Sequence, residues 1–569
     1  MTASRVLIYL LRRDLRLPDN PIFHEIHQLY QQAEKPFTHV LPVYVFPAQQ
    51  VEVSGFLSEI GSKSPFPEAR SEVGKFWRCG PHRAKFLAES IWDLKSQLEG
   101  VGSGLFVRVG LLGRVVEDIL DQFRQAEAVS VSAVWMTGEE GVEEKREERD
   151  VRTAAEKFGA SFRLWLDEKY FIDDRDLPFD KASDLPDVFT SYRKSVEPLR
   201  TAPRKTLSPP PALPPLPTFV PLQTHPFTIP DTFEGLESRL MKPLMASPPL
   251  SKPPLFPSSG VASAHPFRGG TTEGLKRIEV LVKTGAMNRY KDTRNGLLGT
   301  DFSTKLSAWL AFGCITARQI HSQLLEFEDG QDERFQGTEG FGKGENAGTA
   351  AVRFELLWRD YMRLSTRKFR YRLFRLEGFR NDHSYPWKTP GSKGSGPEVA
   401  ERLDRFLRGA TGTSFIDASQ RELYLTGYTS NRARQNVASF LAKHLGINWK
   451  LGAEWYECML TDYDVSSNWG NWQYVAGVGN DPRGEARVFN PIKQGCDYDP
   501  HGEYCKAWVE ELRGLEDAQE IFQPWKVSSE RRAELGLDGL ETVERPLKKI
   551  DFKVGGKGKG GGSGSGGGR

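Results

Sequence analysis

The stretch DYDVSSNWGNWQY, residues 462–474, is the part of the sequence from which the rest is best interpreted. It places two acids and three amides among two tryptophans, and a buried carboxylate or amide is costly unless it finds a partner. A second polar group, NRARQ at 431–435, lies upstream and is followed by Trp449. Together these groups indicate a buried planar cofactor. A plain aromatic core is the alternative.

Outward from that stretch, the chain divides into two halves of different periodicity. After residue 266 the pattern is helical, and nine of the thirteen tryptophans lie there. The first 170 residues alternate short apolar runs with amphipathic stretches, which predicts a parallel sheet with strands at 6–11, 40–46, 105–109, 129–135 and 162–166. The predicted fold class is an α/β parallel-sheet N-terminal domain plus an all-α C-terminal domain, joined by a long Pro-rich connector.

Composition sets the expected boundaries between these parts. Sixteen of the 36 prolines fall in residues 201–260, a density that should exclude helices and central strands. The last fifteen residues contain ten glycines and cannot bury enough surface to fold. We therefore expect an α/β domain at 1–175, a connector at 176–265, a helical domain at 266–525 and a disordered Gly/Lys-rich tail at 526–569.

Charge and residue counts exclude several classes of protein. Residues 545–569 carry seven Lys/Arg and one Asp, so the rest of the chain is slightly acidic. This excludes a protein whose whole surface is basic for binding nucleic acid. The five cysteines form no CxxC pair and the ten histidines no HExxH, so neither a disulfide framework nor a metal site is expected. Glycines 100, 102 and 104 precede a strand rather than follow one, which disfavours NAD-dependent chemistry.

The expected location follows from the start of the chain and from hydropathy. No apolar run reaches the roughly 18 residues that span a bilayer. The first predicted strand begins five residues after the start, which leaves no room for a signal or transit peptide. We expect a monomeric intracellular protein of a reducing compartment, cytoplasm and/or nucleus, without membrane contacts.

Residues 303–307, with the sequence STKLS, open a predicted amphipathic helix that continues through Trp309 and Ile315. A helix N-terminus with hydroxyls and Lys305 beside it is suited to cradle a phosphate, although hydroxyls at this position are equally often simple caps.

A second candidate segment is rich in basic and aromatic residues. On a helix, Glu355, Trp358 and Arg359 share one face. Residues 353–380 contain nine Arg/Lys and three acids, interleaved with aromatic residues. Basic groups follow a phosphate backbone and aromatic rings stack on bases, so the pattern favours nucleic-acid binding. A solvated basic face over core aromatics is the alternative.

With these motifs assembled, the sequence resembles the photolyase/cryptochrome flavoprotein family, most closely its DASH-type cryptochromes. The matching blocks are LRRDLR at 11–16, Tyr290 with 303–307, and residues 355–363, 411–418 and 431–474, in the family's order across nearly all of 5–510. The resemblance implies an α/β antenna domain and a helical domain that holds FAD in a bent conformation.

The resemblance also implies which residues hold the flavin. Carried over by motif, they are Tyr290, Ser303, Thr304, Lys305, Leu306, Ser307, Arg434, Asp462, Asp464 and Asn468. Asn468 would face flavin N5, where an amide adds no charge beside an anionic reduced flavin.

The substrate implied by the resemblance is a cyclobutane pyrimidine dimer flipped out of DNA. The matching contact residues are Glu355, Trp358, Arg359, Arg432, Gln435 and Tyr474. Excited FADH⁻ would donate an electron to the dimer, the ring would split and the electron would return, with Glu355 bonded to the dimer and Trp358 packed on its face. Gln435 and Tyr474 stand where duplex-repairing relatives carry Met and Trp. Because extrusion from a duplex costs a few kcal/mol, this polar pocket should favour single-stranded DNA.

The electron relay of the family is only partly matched. Trp472 corresponds to the flavin-proximal member and Trp449 to the middle one, but Phe406 stands where a surface tryptophan is usual. Photoreduction must therefore end at Trp449, use another aromatic residue or run slowly.

For the antenna, the resemblance implies 5,10-methenyltetrahydrofolate. The acidic turn with Glu139 and Glu140 matches the folate-binding region. A solvated acidic loop is the alternative.

Two functions are weighed on this basis. The leading hypothesis is a deoxyribodipyrimidine photo-lyase, a blue-light, FAD-dependent enzyme acting on dimers in single-stranded DNA. The alternative is a non-repairing blue-light photoreceptor that binds RNA, DNA or a protein partner, with the Gly/Lys tail as a candidate RNA contact. Residues 545–569 should in either case add salt-sensitive affinity for nucleic acid.

Overall fold

A computed structural model describes residues 4–553, apart from 60, 127–128, 259, 262–265, 393–395 and 481–487. The N-terminal domain is a sheet of five parallel strands in the order β3-β2-β1-β4-β5. The strands are β1 (Ser4–Leu11), β2 (His39–Pro47), β3 (Phe106–Gly110), β4 (Val129–Thr137) and β5 (Ser161–Trp165). Each predicted strand overlaps an observed one, and the predicted parallel sheet is confirmed.

Both faces of the sheet are covered by helices. These are α1 (Pro21–Tyr30), α2 (Pro81–Gly100), α3 (Leu112–Gln125) and α4 (Val142–Lys157). Alternate residues of β1 point to opposite faces: Ile8 belongs to a core with α3 and α4, whereas Leu7 and Tyr9 belong to a core with α1 and α2. That second core continues into the helical half through residues such as Trp309 and Trp449. The two domains therefore share one of the hydrophobic cores.

The C-terminal half is helical, as predicted. Its helices are α7 (Thr271–Lys283), α8 (Tyr290–Thr293), α9 (Ser307–Ala311), α10 (Ala317–Glu328), α11 (Ala347–Phe369), α12 (Gly396–Leu407), α13 (Ser414–Thr426), α14 (Asn431–Ser439), α15 (Trp449–Met459), α16 (Val465–Ala476), α17 (Pro491–Tyr498), α18 (Glu503–Trp508), α19 (Ala518–Phe522), α20 (Ser529–Leu535) and α21 (Glu541–Glu544), numbered after α5 and α6 of the region between the domains. No helix in the described part of the chain has the length and apolar character that a membrane span needs.

The proline-rich region between the domains is not free of helices. It contains α5 (Phe189–Val196) and α6 (Phe233–Ala246). The prediction that 201–260 excludes helices is wrong at α6, because residues 231–242 contain no proline and Leu236, Leu240 and Leu244 bury one face. Part of the remaining stretch is extended and follows the sheet, where the Val40 N–H donates to the carbonyl of Pro215 at 3.1 Å. Residues 259 and 262–265 of the predicted connector lie outside the described residues.

The disordered tail was predicted to begin at residue 526, which is too early. Residues 526–553 include α20 and α21, and Leu537 and Val543 are buried in a core with Trp508. Arg405 of α12 donates to the carbonyls of Glu541, at 3.1 Å, and Arg545, at 2.7 Å. The error arises because the glycine-rich composition starts only at residue 555. The rest of the tail, 554–569, lies outside the described residues.

Candidate functional site

A cavity of about 430 Å³ lies within the helical domain, and most of the predicted site residues line it. The predicted cofactor residues among them are Tyr290, Ser303, Thr304, Lys305, Leu306, Ser307, Arg434, Asp462, Asp464 and Asn468. The predicted catalytic and substrate residues among them are Glu355, Trp358, Arg359, Gln435, Trp472 and Tyr474. Trp449, Arg432, Glu139 and Glu140 do not line this cavity.

The segment 303–307 reaches the cavity as a loop rather than as the start of a long helix. Ser303 and Lys305 have positive φ, 62° and 53°, and α9 begins only at Ser307 and ends at Ala311. The predicted helix through Ile315 is therefore wrong. It is interrupted at Gly313, where a Cβ would lie 2.0 Å from the carbonyl oxygen of Arg13 in the other domain. Only glycine allows this close approach between the domains.

Lys305 is buried, and its ammonium group donates to the carbonyl of Gly299. Burial lowers the pKa of Lys305 to about 8. The side chain therefore stabilises its own loop while contributing positive charge to the wall of the cavity.

An ion pair on the opposite wall joins Arg434 to Asp462. Arg434 Nη2 lies 3.1 and 2.9 Å from the two carboxylate oxygens, and Nε donates to the carbonyl of Thr429 at 2.9 Å. Asp462 is buried and Arg434 is about one quarter exposed. A guanidinium fixed by two acceptors in this way presents a planar, charged edge of defined orientation.

Helix α16 supplies a third wall. Asp464 caps the helix, accepting the N–H of Ser467 at 2.7 Å, and so has a structural role in addition to lining the cavity. Asn468 Nδ2 donates to the carbonyl of Ala453 at 3.0 Å. That bond orients the amide with its oxygen as the group left to face the cavity. Trp472 packs on Gly452, where a Cβ would lie 2.1 Å from its ring.

Helix α11 presents Glu355, Trp358 and Arg359 to the cavity from one face. The Glu355 carboxylate forms an ion pair with Arg294. Burial raises the pKa of Glu355, and the positive charge of Arg294 offsets only part of this rise. The ring of Trp358 meets Tyr474 edge to face, with centroids 5.8 Å apart. The site thus combines a carboxyl of raised pKa with a broad aromatic surface.

Sequence reasoning missed Arg294. The available signal was its position four residues after Tyr290, but α8 has a single turn and Glu355 lies 61 residues further along the chain. Such a pairing depends on the tertiary fold and not on any local pattern.

Arg432 lies outside the cavity wall but orients a residue within it. Its Nη1 donates to Gln435 Oε1 at 3.1 Å, and its Nη2 donates to Asn295 Oδ1 at 2.9 Å. The guanidinium also lies 4.5 Å from the ring centroid of Tyr498. Arg432 therefore holds the polar side chain of Gln435 at the edge of the site.

The aromatic residues predicted as an electron relay are all buried. The ring centroids of Trp472 and Tyr456 lie 5.2 Å apart, and those of Trp449 and Trp469 lie 5.9 Å apart. In both pairs the ring planes are nearly perpendicular. Phe406 is completely buried and stacks on Phe440, so the relay position expected at the surface is not a surface position in this chain.

The residues present fit a polar planar ligand in this cavity. In two of its lining residues, the Tyr456 hydroxyl and Arg359 Nη1 are buried without a hydrogen-bond partner among the described residues. Buried polar groups are rarely left unpaired in folded proteins, so such atoms indicate a missing ligand. FAD would satisfy them with its ring, phosphate and ribose oxygens.

Comparison with known proteins agrees with this geometry. Two family models match, the FAD binding domain of DNA photolyase over residues 352–550 and DNA photolyase over residues 7–215. A proposed cryptochrome DASH of Neurospora crassa, named as mitochondrial, is 53% identical over 573 residues, covering 97% of this chain and 76% of that protein. The chain belongs to the photolyase/cryptochrome family.

Further comparisons place this family member in the DASH-type branch. A cryptochrome DASH of Ostreococcus tauri, named as chloroplastic/mitochondrial, is 35% identical over 95% of this chain and 90% of that protein. The crystal structure of a Synechocystis cryptochrome has a TM-score of 0.76 and 32% identity, covering 96% of this chain and 97% of that one. The C-terminal half is thus the FAD-binding domain of a photolyase/cryptochrome protein.

The same relatives correct the expected location. The prediction of cytoplasm and/or nucleus is wrong on this comparison, because the Neurospora protein is named as mitochondrial and the Ostreococcus protein as chloroplastic/mitochondrial.

The structure places the predicted antenna residues Glu139 and Glu140 in ion pairs, and folate binding stays a prediction. Glu139 is buried and bonded to Lys169 Nζ at 2.5 Å, and Glu140 is bonded to Arg367 at 2.5 Å. Glu139 also lines a cavity of about 80 Å³. Both carboxylates are therefore paired with cations of the protein itself.

That small cavity contains Glu147, whose protonation should influence stability. Burial raises the pKa of Glu147 to about 7, opposed by Arg12 and assisted by Glu144. Gln49 donates to its carboxylate at 2.6 Å. A carboxyl with a raised folded-state pKa destabilises the fold as pH rises from the unfolded value, near 4.3, to the folded one.

Glu147→Gln removes this titration. We expect the variant to gain stability over the native chain as the pH rises from 5 to 8, by about 1–3 kcal/mol at pH 8, because the neutral amide avoids the cost of burying a charge. Urea unfolding at several pH values measures the difference. Equal pH profiles for both proteins would contradict the assignment.

Proposed function

We propose that this chain is a blue-light-driven, FAD-dependent deoxyribodipyrimidine photo-lyase that splits cyclobutane pyrimidine dimers, preferentially in single-stranded DNA. One observation carries the proposal: Glu355, with its raised pKa, and the aromatic face of Trp358 line the same cavity as Asn468 and the Arg434–Asp462 pair. A cavity that both holds a flavin and receives a polar aromatic base needs these two sets of groups side by side.

The residues of the site have separate tasks in this reaction. Glu355 would hydrogen-bond a carbonyl oxygen of the dimer, and Arg294 beside it would stabilise the negative charge that this oxygen gains. Trp358, held edge to face by Tyr474, packs on the pyrimidine rings. When bound in its reduced form, FAD would supply one electron to the dimer under blue light and recover it after the cyclobutane ring splits, so that no net oxidation occurs.

The flavin side of the cavity is built for orientation. Arg434 and Asp462 offer a fixed donor and acceptor edge, and Asn468, oriented by Ala453, offers a neutral amide oxygen. The loop at 303–307 contributes hydroxyls and the ammonium group of Lys305, which suit the phosphates. A folate antenna at Glu139 or Glu140 is not part of this proposal.

The preference for single strands is proposed from Gln435 and Tyr474. Gln435 accepts a hydrogen bond from Arg432. Gln435 and Tyr474 are polar residues of the cavity wall, where apolar side chains would bind the dimer more strongly. A weaker pocket supplies less free energy to unstack and unpair a dimer, and a single strand requires little of it.

Exchanging these two residues tests the preference. For Gln435→Met with Tyr474→Trp, we expect duplex repair to rise roughly tenfold relative to single-strand repair, because added apolar contact contributes about 1–2 kcal/mol. Repair of one thymine dimer in both contexts, by the native chain and by each single variant, measures the ratio. An unchanged ratio in the double variant would refute the pocket argument.

A non-repairing photoreceptor that binds RNA, DNA or a protein is the second candidate function. One observation favours it: Phe406 is buried, and its neighbour Arg405 is bonded to the C-terminal segment at Glu541 and Arg545. Phenylalanine is harder to oxidise than tryptophan, so photoreduction of the flavin through this position should be slow. If the chain is a photoreceptor of this kind, we expect it to bind flavin and not to repair dimers.

A further inference from the structure

The basic and aromatic segment 353–380 divides into two parts with different surroundings. Cations on α11 are neutralised by acids, several of them in the N-terminal half of the chain. The pairs are Arg353–Glu328 at 2.8 Å, Arg363–Asp174 at 2.5 Å, Arg367–Glu140 at 2.5 Å and Lys368–Asp187 at 2.8 Å. These four cations of α11 are therefore paired within the chain, whereas Arg359 on the same helix forms no ion pair among the described residues and lines the cavity.

The loop that follows α11 is different. Within the described part of the chain, Arg370, Arg372 and Arg375 form no ion pair with a carboxylate, and Arg372 donates instead to the carbonyl of Phe379 at 3.4 Å. Arg370 and Arg375 are exposed, and Tyr371 between them is 52% exposed. The guanidinium of Arg375 lies 4.6 Å from the ring centroid of Tyr371. Uncompensated positive charge thus surrounds an accessible aromatic face.

The loop is held rigidly although its outer side chains are exposed. Gln473, completely buried, donates to the carbonyls of Arg372 at 2.9 Å and Leu373 at 2.8 Å, and accepts the N–H of Phe379 at 2.8 Å. Phe379 stacks on Phe369 at 4.5 Å. Three hydrogen bonds from one buried amide fix the backbone, so the exposed side chains project from a preformed surface.

This surface is attached to helix α16, which also contributes to the wall of the cavity. Gln473 stands in α16 between Trp472 and Tyr474, which both line the cavity, whereas Gln473 itself and residues 370–380 do not.

We propose that the loop 370–380 is a second contact surface for single-stranded nucleic acid, in which a base stacks on Tyr371 and backbone phosphates pair with Arg370 and Arg375. Guanidinium groups bind phosphate oxygens, and an exposed aromatic ring beside them binds the flat face of any base. Bases offer that face freely only when unpaired, which selects a single strand over a duplex. The surface needs neither light nor a dimer, so it stands independently of the proposed repair activity.

The test is binding of an undamaged 16-nucleotide oligothymidylate to the full chain in the dark, followed by fluorescence anisotropy over a range of salt. For Tyr371→Ser we expect roughly tenfold weaker binding, because one base no longer stacks on the ring. For Arg370→Gln with Arg375→Gln we expect the slope of log affinity against log salt to fall by about 1.4, or about 0.7 for each phosphate that is no longer neutralised.

The matched control is Arg149→Gln with Arg152→Gln on α4, which removes the same charge from an exposed face of the other domain. It should leave affinity and slope nearly unchanged. Equal losses in the control, native affinity in the loop variants, or an equal loss for duplex DNA would each overturn the proposal. A dimer in a dinucleotide is too short to reach the loop, so its repair should be unchanged in the loop variants. If the native chain does not repair this dinucleotide, that result counts against the proposed repair activity alone.

Discussion

Glu355→Ala is expected to lower light-driven dimer repair roughly 10²-fold while leaving flavin content at the native level. The carboxyl lies beside Arg294 in the cavity wall, and burial raises its pKa, which favours the protonated form that can donate to the dimer oxygen. Without that donor, the charge that develops on the dimer is left to Arg294 alone. Repaired dimers per absorbed photon, together with flavin absorbance per protein, measure both parts of the prediction.

Glu355→Gln should lose less activity than Glu355→Ala, because an amide still donates a hydrogen bond. It should also lose the pH dependence of the native chain, whose repair we expect to fall as rising pH deprotonates Glu355. Glu333→Gln, at an exposed position away from the cavity, is the control. Native repair by Glu355→Ala would exclude this residue from the chemistry and favour another donor in the cavity.

Arg434→Met is expected to yield protein without FAD and to destabilise the fold by about 3 kcal/mol, because it leaves the carboxylate of Asp462 buried without its partner. Flavin absorbance of the purified chain and the midpoint of urea unfolding are the measurements.

The double variant Arg434→Met with Asp462→Asn separates the two effects. Removing the uncompensated charge should restore much of the stability, whereas flavin binding should stay lost because the fixed donor and acceptor edge is gone. Full flavin occupancy in the double variant would show that this pair serves the fold and not the cofactor.

The sheet was predictable because its strands are buried on both faces. Residues 6–11 form a nearly continuous apolar run, as parallel strands covered by helices require, and they coincide with β1. That Glu355 and Trp358 share one face was predictable for another reason, because their spacing on a regular helix such as α11 decides it. The place of Asn468 in the site followed from the resemblance to the photolyase/cryptochrome family and not from spacing.

Features that depend on contacts between distant segments were not predictable. The helix expected through Ile315 ends early because Gly313 meets the backbone of Arg13, 300 residues before it. Arg294 became part of the site only through Glu355 on another helix. Composition averaged over long windows also led to two wrong predictions. The connector was expected to lack helices, but the prolines surround α6 without entering most of it. The disordered tail was expected from residue 526, but the glycine-rich stretch begins only after the folded segment that includes α21.

The most direct test of the central claim is blue-light repair by the purified, anaerobically reduced chain of one thymine dimer, presented in single-stranded and in duplex DNA with a dark control. We predict light-dependent repair that is strongly favoured in the single strand and absent in the dark. No repair in either context, with FAD bound and reduced, would contradict the photo-lyase proposal and favour the photoreceptor.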